Sequence, residues 1–171
     1  MTYQEFLQKK RLPTVQIGFK PKGLNKHLFP FQEFITEKAC ETGRFAEFAD
    51  CGLGKTIMQL EYANQVVRHT NKSVLILAPL AVSAQTISEG EKFGIEVKKV
   101  STSSQTGTYI TNYDQLENVN PSDYVGVVLD ESSILKAIDG KYRKVLTKSF
   151  SDTPYRLCCT ATPAPNDHTE I

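Results

Sequence analysis

The chain has 171 residues with a formal net charge of +1, a hydrophobic content of 40% and a charged content of 23%. This length allows one domain with a sizeable core, and the composition is typical of a globular protein rather than a disordered one. No apolar run is long enough to span a bilayer and the start does not resemble a signal peptide, so we expect an intracellular protein without membrane contact. The four cysteines lack a paired CxxC spacing, which favours reduced thiols over a zinc site.

Residues 1–26 combine basic residues with prolines and glycines, which predicts an extended N-terminal arm ahead of a domain at 27–171. The basic residues, opposed by Glu5 alone, are Lys9, Lys10, Arg11, Lys20, Lys22 and Lys26. Such an arm either contacts a phosphate backbone or is a solvated lead-in, and the sequence leaves both interpretations open.

Strand and helix patterns alternate along the rest of the chain. A helix is predicted from about Pro30, where proline suits the first turn, to Gly43, which ends it. Further helices are predicted at 55–68, 80–93 and 141–150, and strands at 45–49, 73–78, 97–100, 109–113, 125–129 and 155–160. The helix at 55–68 is predicted to be amphipathic, with an inner face of Ile57, Leu60, Ala63 and Val67. The runs at 73–78 and 125–129 are continuously apolar, as in strands buried on both faces of a parallel sheet. The pattern predicts an α/β fold of three layers, with helices on both sides of a mostly parallel central sheet.

A glycine-bearing turn joins the first strand to the second helix. A loop that wraps phosphate oxygens with backbone N–H groups needs residues without side chains at the points of closest approach. Gly52 and Gly54, on either side of Leu53, are such residues. Lys55 then places a charge on the outer phosphates, and Thr56, followed by Ile57, opens the helix with a hydroxyl that can ligate Mg²⁺. The motif is a Walker A-type P-loop in which Ala49 replaces the first glycine.

Two carboxylates, Asp130 and Glu131, follow the apolar strand at 125–129. Ligands on parallel sheets bind at the carboxyl ends of the strands, where the P-loop also lies. Asp130 is therefore predicted to hold Mg²⁺, and Glu131 to orient and deprotonate an attacking water. The alternative is a turn with two solvated carboxylates.

Gln32 lies upstream of the P-loop strand, and its amide can read both edges of adenine. A single glutamine on a helix is more often only solvent-facing. The series of motifs resembles the first RecA-like lobe of superfamily 2 helicases, in which DEAD/DEAH-type sequences follow the metal-binding strand. The motifs that carry this resemblance are Gln32, 49–56, 75–79, 129–133 and 160–163. Within the superfamily, the stretches 52–56 and 110–113 look most like the Swi/Snf-type branch, including helicase-like proteins of phages.

The resemblance implies ATP and Mg²⁺ as cofactors, with Gln32 on adenine, Lys55 on the β- and γ-phosphates, and Thr56 and Asp130 on the metal. It makes Glu131 the catalytic base. It further implies that Thr160 and Thr162 couple the nucleotide state to nucleic-acid contact, and that a nucleic-acid groove is faced by Pro79, Thr111, Asn112 and Tyr113. Pro79 also suits a helix start and Thr160 a helix cap, so both roles can coexist.

The expected function is that of the N-terminal ATP-binding lobe of a DNA-dependent ATPase, helicase or translocase in a bacterial or phage-infected cytoplasm. Ser132-Ser133 replaces the commoner Ala-Asp or Ala-His ending, which removes a charge. Superfamily members take catalytic arginines from a second lobe, so we expect a fragment or half of a split system that binds ATP weakly and turns it over little. The alternatives are the motor lobe of a restriction or packaging translocase, a non-catalytic nucleic-acid-binding module, and an unrelated P-loop protein.

Overall fold

A computed structural model describes residues 17–100, 105–136 and 141–163. The α-helices of these ranges are α1 (Pro30–Thr42), α2 (Lys55–Thr70), α3 (Leu80–Phe93) and α4 (Lys141–Ser149). The strands are β1 (Arg44–Phe48), β2 (Ser73–Ala78), β3 (Val97–Lys99), β4 (Thr108–Asn112), β5 (Tyr124–Leu129) and β6 (Tyr155–Thr160). Short 3-10 helices span Tyr113–Asn118, Pro121–Asp123 and Ser132–Lys136.

The six strands form one sheet in the order β1-β6-β5-β2-β4-β3, and every neighbouring pair is parallel. The predicted α/β fold is thereby confirmed, with a sheet that is parallel throughout its described strands. Because β6 lies between β1 and β5, the ends of these three strands meet at one edge. That edge receives the P-loop after β1, Asp130 after β5 and the Thr160 region of β6.

Apolar clusters on both faces of the sheet hold the layers together. Alternate residues of β2 enter opposite clusters: Val74 and Ile76 pack with residues of α1 and α2, whereas Leu75 and Leu77 pack with residues of α4 and a 3-10 helix. This confirms that the apolar run at 73–78 is buried on both faces. Each fully buried aliphatic side chain of this kind contributes about 1.5–3 kcal/mol of transfer free energy.

Helix α2 differs from the amphipathic helix that the sequence predicts. The expected inner face was Ile57, Leu60, Ala63 and Val67. In the structure Val67 is only partly buried, and polar side chains on other faces of the helix are buried as well. The buried polar residues are Gln59, Glu61 and Gln65. The physical reason is that α2 packs between the sheet on one side and α1 with residues 22–25 on the other, so little of it reaches solvent.

Tyr113, the last residue of the predicted strand 109–113, lies outside the observed strand. Strand β4 ends at Asn112, whose side-chain Oδ1 accepts a hydrogen bond from the Gln115 backbone N–H at 3.0 Å and so caps the 3-10 helix that follows. Tyr113 is the first residue of that helix, and its ring enters the core.

The described part of the predicted arm, residues 17–26, contains no helix or strand. It is nevertheless attached to the domain: the Phe19 N–H donates to the Cys40 carbonyl at 2.9 Å, and the Phe19 ring stacks on His69 at 4.0 Å. The remaining arm residues, which include Lys9, Lys10 and Arg11, lie outside the described residues. Within the described ranges, no helix combines the length and apolar character needed to cross a membrane.

Candidate nucleotide-binding site

The P-loop between β1 and α2 adopts a backbone that requires glycine. Gly52 has φ of 84° and Gly54 has φ of 74°, in the left-handed region that L side chains rarely adopt. Gly54 is also the N-cap of α2, and no described side chain caps that helix. The N–H groups of the first turn of α2 are therefore directed to the loop without a side-chain acceptor, as an anion site requires.

Lys55 is folded back onto the loop. Its Nζ donates to the carbonyl oxygens of Ala49 at 2.9 Å and Asp50 at 3.2 Å. The ammonium is thus held at the loop by weak neutral acceptors. A phosphate is a stronger acceptor for an ammonium group than a carbonyl is, so it can compete for this side chain.

Gln32 is buried, with 4% of its surface exposed, and so it is not the solvent-facing glutamine of the alternative interpretation. Its Oε1 accepts from the Phe29 N–H and its Nε2 donates to the Leu53 carbonyl, both at 2.9 Å. The side chain therefore links the start of α1 to the P-loop. Contact with adenine remains a prediction, and it requires Gln32 to exchange one of these bonds for the base.

Asp130 follows β5 at the same edge of the sheet and is half-buried. Its carboxylate Oδ1 accepts from Nε2 of Gln59 at 2.8 Å, and its backbone carbonyl accepts from the Tyr113 hydroxyl at 2.6 Å. Glu131 has φ of 51°, which is unusual for a residue other than glycine. Such backbone strain occurs preferentially at functional sites.

The donor set fits Mg²⁺. Thr56, in the first turn of α2, offers a hydroxyl, and Asp130 offers a carboxylate, and hard oxygen donors of this kind are what Mg²⁺ selects. Gln59 was missed by sequence reasoning because it lies off the apolar face of α2. By bonding Asp130 it fixes the orientation of the carboxylate, as outer-shell partners of metal ligands do.

Replacing Gln59 by leucine is expected to raise the Mg²⁺ concentration needed for half-maximal nucleotide binding by about tenfold, because Asp130 loses its donor. Nucleotide binding without Mg²⁺ should change less. The matched control is Gln65→Leu on the same helix, since Gln65 is equally buried but bonds Glu61 and the backbone near Lys22. A titration of Mg²⁺ at fixed nucleotide measures both variants, and equal shifts in the two would contradict the role of Gln59.

The end of β6 lies between the P-loop strand and the Asp130 strand. Thr160 pairs with Phe48 of β1, and its Oγ1 accepts from the Thr162 backbone N–H at 3.1 Å. Thr160 is buried and Thr162 is exposed. The two threonines therefore lie on a turn that leads from the buried end of β6 to the surface. Their coupling role remains a prediction.

The residues predicted to face nucleic acid divide into two groups. Pro79 is the N-cap of α3, and pairing of Ala78 with Asn112 brings it near Thr111 and Asn112, which are half-buried. Tyr113 is instead buried, with 4% exposure and its hydroxyl on the Asp130 carbonyl. The structure places Tyr113 in the core, bonded to the backbone of Asp130, rather than on the surface.

Comparisons with known proteins agree with this architecture. No protein-family model matches the chain. Among curated proteins it is 25% identical to the SWI/SNF chromatin-remodeling complex subunit snf22 of Schizosaccharomyces pombe, over 71% of this chain and 8% of that protein. Among solved structures it matches the Sulfolobus solfataricus SWI2/SNF2 ATPase core in complex with dsDNA, with a TM-score of 0.70, 20% identity, and coverage of 90% of this chain and 36% of that chain. By fold, this is a RecA-like domain.

A further match, to the UvsW helicase of bacteriophage T4, has a TM-score of 0.68 at 12% identity and covers 98% of this chain and 61% of that chain. The resemblance to superfamily 2 helicases predicted from the motifs is thus confirmed. This RecA-like domain spans less than two thirds of the length of each of these relatives.

Proposed function

We propose that this RecA-like domain binds ATP and Mg²⁺ at the carboxyl edge of its sheet and is the ATP-binding lobe of a motor that couples the hydrolysis of ATP to movement on DNA. The observation that carries the proposal is that the P-loop, Asp130 and the end of β6 meet at one edge of the sheet. A hydrogen bond from Gln59, on the helix that follows the P-loop, to the Asp130 carboxylate joins the P-loop helix to that carboxylate. A P-loop alone is a frequent motif. A P-loop helix bonded to an acidic residue on a separate strand is a far more specific arrangement.

Each residue has a role in this proposal. The N–H groups at the start of α2 and the Lys55 ammonium bind the phosphates, and Gln32 contacts the adenine. Thr56 and Asp130 would hold Mg²⁺, whose positive charge would offset the negative charge of the phosphates. Glu131, one residue beyond Asp130, accepts the proton of the attacking water.

Nucleic acid is proposed to bind at the surface that Pro79, Thr111 and Asn112 form, with Thr160 and Thr162 connecting it to the nucleotide site. Two features support this placement. Pro79 follows Ala78, which pairs with Asn112 on the neighbouring strand, and Leu80, the first residue of α3, is 70% exposed next to Pro79. The Sulfolobus relative named above is a structure with dsDNA, which favours DNA over RNA as the partner.

The proposal is tested by titrating fluorescent duplex DNA with the protein at two salt concentrations, with and without Mg²⁺-ATP. Contacts mainly to phosphates predict that the affinity falls about tenfold or more between roughly 50 and 200 mM salt, with little dependence on base sequence. A change in DNA affinity on adding Mg²⁺-ATP is the expected sign of coupling. DNA affinity that depends neither on salt nor on nucleotide would contradict the proposed coupling.

A further inference from the structure

A buried carboxyl group with no assigned role lies on β1, two residues before Ala49, whose carbonyl accepts from the Lys55 ammonium at 2.9 Å. Glu47, on β1, is 3% exposed, and its Oε2 accepts from the thiol of Cys159 at 3.4 Å. Its Oε1 is buried without a hydrogen-bond partner among the described residues. An unpaired buried carboxyl oxygen destabilises the folded state, and a leucine at this position would avoid that cost.

Three titratable groups from the neighbouring elements act on Glu47. Burial is the main cause that raises the pKa of its carboxyl, to about 7. The hydrogen bond from Cys159 of β6 and the charge of Lys55 at the start of α2 lower this pKa, and the charge of Asp130 after β5 raises it. Above pH 7 Glu47 is therefore mainly a carboxylate, and its charge attracts the Lys55 ammonium through space.

We propose that Glu47 is a positioning residue that holds Lys55 in its folded-back place on the P-loop and so weakens nucleotide binding. The inference rests on the proposed function, because it takes the P-loop as the phosphate site. To reach a phosphate, the Lys55 ammonium must leave the carbonyls of Ala49 and Asp50. A buried carboxylate on the strand that leads into the loop favours the folded-back position of Lys55 and also repels the incoming phosphates, and both effects oppose binding.

The expected result is that Glu47→Gln tightens the binding of Mg²⁺-ATP. The glutamine keeps the size and the acceptor for Cys159 but removes the charge. At pH 8 we expect the affinity to rise about three- to tenfold, because the variant loses both the attraction for Lys55 and the repulsion of the phosphates. At pH 6, where the wild-type carboxyl is mostly protonated, the two proteins should agree within about twofold. Calorimetry at both pH values measures this difference.

Glu61→Gln is the matched control. Glu61 is on α2, is 1% exposed, and burial raises the pKa of its carboxyl as well. Its Oε1 accepts from Gln65 at 2.7 Å, on the side of α2 that faces residues 22–25 and not the P-loop. Removal of this second buried charge is expected to leave nucleotide affinity and its pH dependence unchanged.

Glu47→Leu provides a second variant that removes every polar atom from the side chain. Because the folded-state pKa of Glu47 is raised, the folded protein binds more protons than the unfolded chain, and this carboxyl lowers stability as the pH rises from about 4.5 to about 7. Glu47→Leu should therefore raise the midpoint of thermal unfolding at pH 8 while it also tightens nucleotide binding. A purely structural role for Glu47 would not link these two effects to the pH profile.

The outcomes are distinct for the inference and for the proposed function. Tighter binding at pH 8 in both Glu47 variants, with Glu61→Gln unchanged, supports the inference. Wild-type binding that depends on Lys55 but is unchanged or weaker in both Glu47 variants overturns the inference and leaves the proposed function standing. Absence of nucleotide binding in the wild type and in every variant overturns both.

Discussion

Lys55→Ala is expected to lower the affinity for Mg²⁺-ATP at least about a hundredfold. Lys55 is the cation at the P-loop, and its Nζ lies 2.9 Å from the Ala49 carbonyl, at the start of the loop that is proposed to hold the phosphates. Charge-assisted bonds from one ammonium to phosphate oxygens are worth about 3 kcal/mol, which corresponds to roughly a hundredfold in affinity. The fold should be little affected, because the alanine loses only bonds to loop carbonyls.

The control for this variant is Lys72→Ala, which removes an exposed lysine just after the far end of α2. Both variants change the net charge equally. Calorimetric titration with Mg²⁺-ATP should show near wild-type binding for Lys72→Ala. If the two variants bound equally well, Lys55 would not be a phosphate ligand and the P-loop assignment would be wrong.

Gly54→Ala is expected to destabilise the protein and to abolish nucleotide binding together. A Cβ at this position would lie 2.4 Å from Nε2 of Gln32, on a backbone with φ of 74°. The left-handed conformation costs an L residue about 1–2 kcal/mol, and displacing Gln32 also breaks its bonds to Phe29 and Leu53. The total loss of stability should be on the order of 2–4 kcal/mol.

Gly94→Ala separates the two contributions. Gly94 ends α3 with φ of 71°, but a Cβ there would meet nothing within 4 Å. Gly94→Ala should therefore lower the stability by about 1–2 kcal/mol, the cost of the left-handed backbone alone, and leave nucleotide binding intact. Chemical denaturation of both variants gives the comparison. Equal destabilisation by the two substitutions would show that the Gln32 contact does not support the P-loop.

Most of the fold could be predicted from the sequence because its signals are local. Continuous apolar runs indicated β2 and β5. A glycine or asparagine in the left-handed region ends α1, α2 and α3, although the sequence analysis identified only Gly43 as a helix end. The glycine conformations of the proposed P-loop were predictable for the same reason: a close approach of backbone to a ligand requires glycine, and Gly52 and Gly54 both have positive φ. The resemblance to helicases followed from the order of such motifs.

The rest of the site depends on contacts between distant parts of the chain. Nothing local to Gln59 indicates that it bonds Asp130, because a glutamine off the apolar face of a helix is usually solvated. Glu47 likewise looks like the exposed position of an alternating strand, and only its pairing with Cys159 shows that it is buried. The resemblance to helicases placed Tyr113 at a nucleic-acid groove. In the structure, Asn112 caps a 3-10 helix that begins at Tyr113, and the Tyr113 side chain is buried in the core.

The most direct test of nucleotide binding at the P-loop is the rate at which Cys51 reacts with a thiol reagent, read by mass spectrometry. Cys51 lies in the loop and is exposed, Cys40 and Cys159 are buried, and Cys158 is half-buried with a pKa that burial raises. Saturating Mg²⁺-ATP is predicted to slow labelling of Cys51 in the wild type but not in Lys55→Ala, with Cys158 as the internal reference. Labelling of Cys51 at the same rate with and without Mg²⁺-ATP in the wild type would contradict the account.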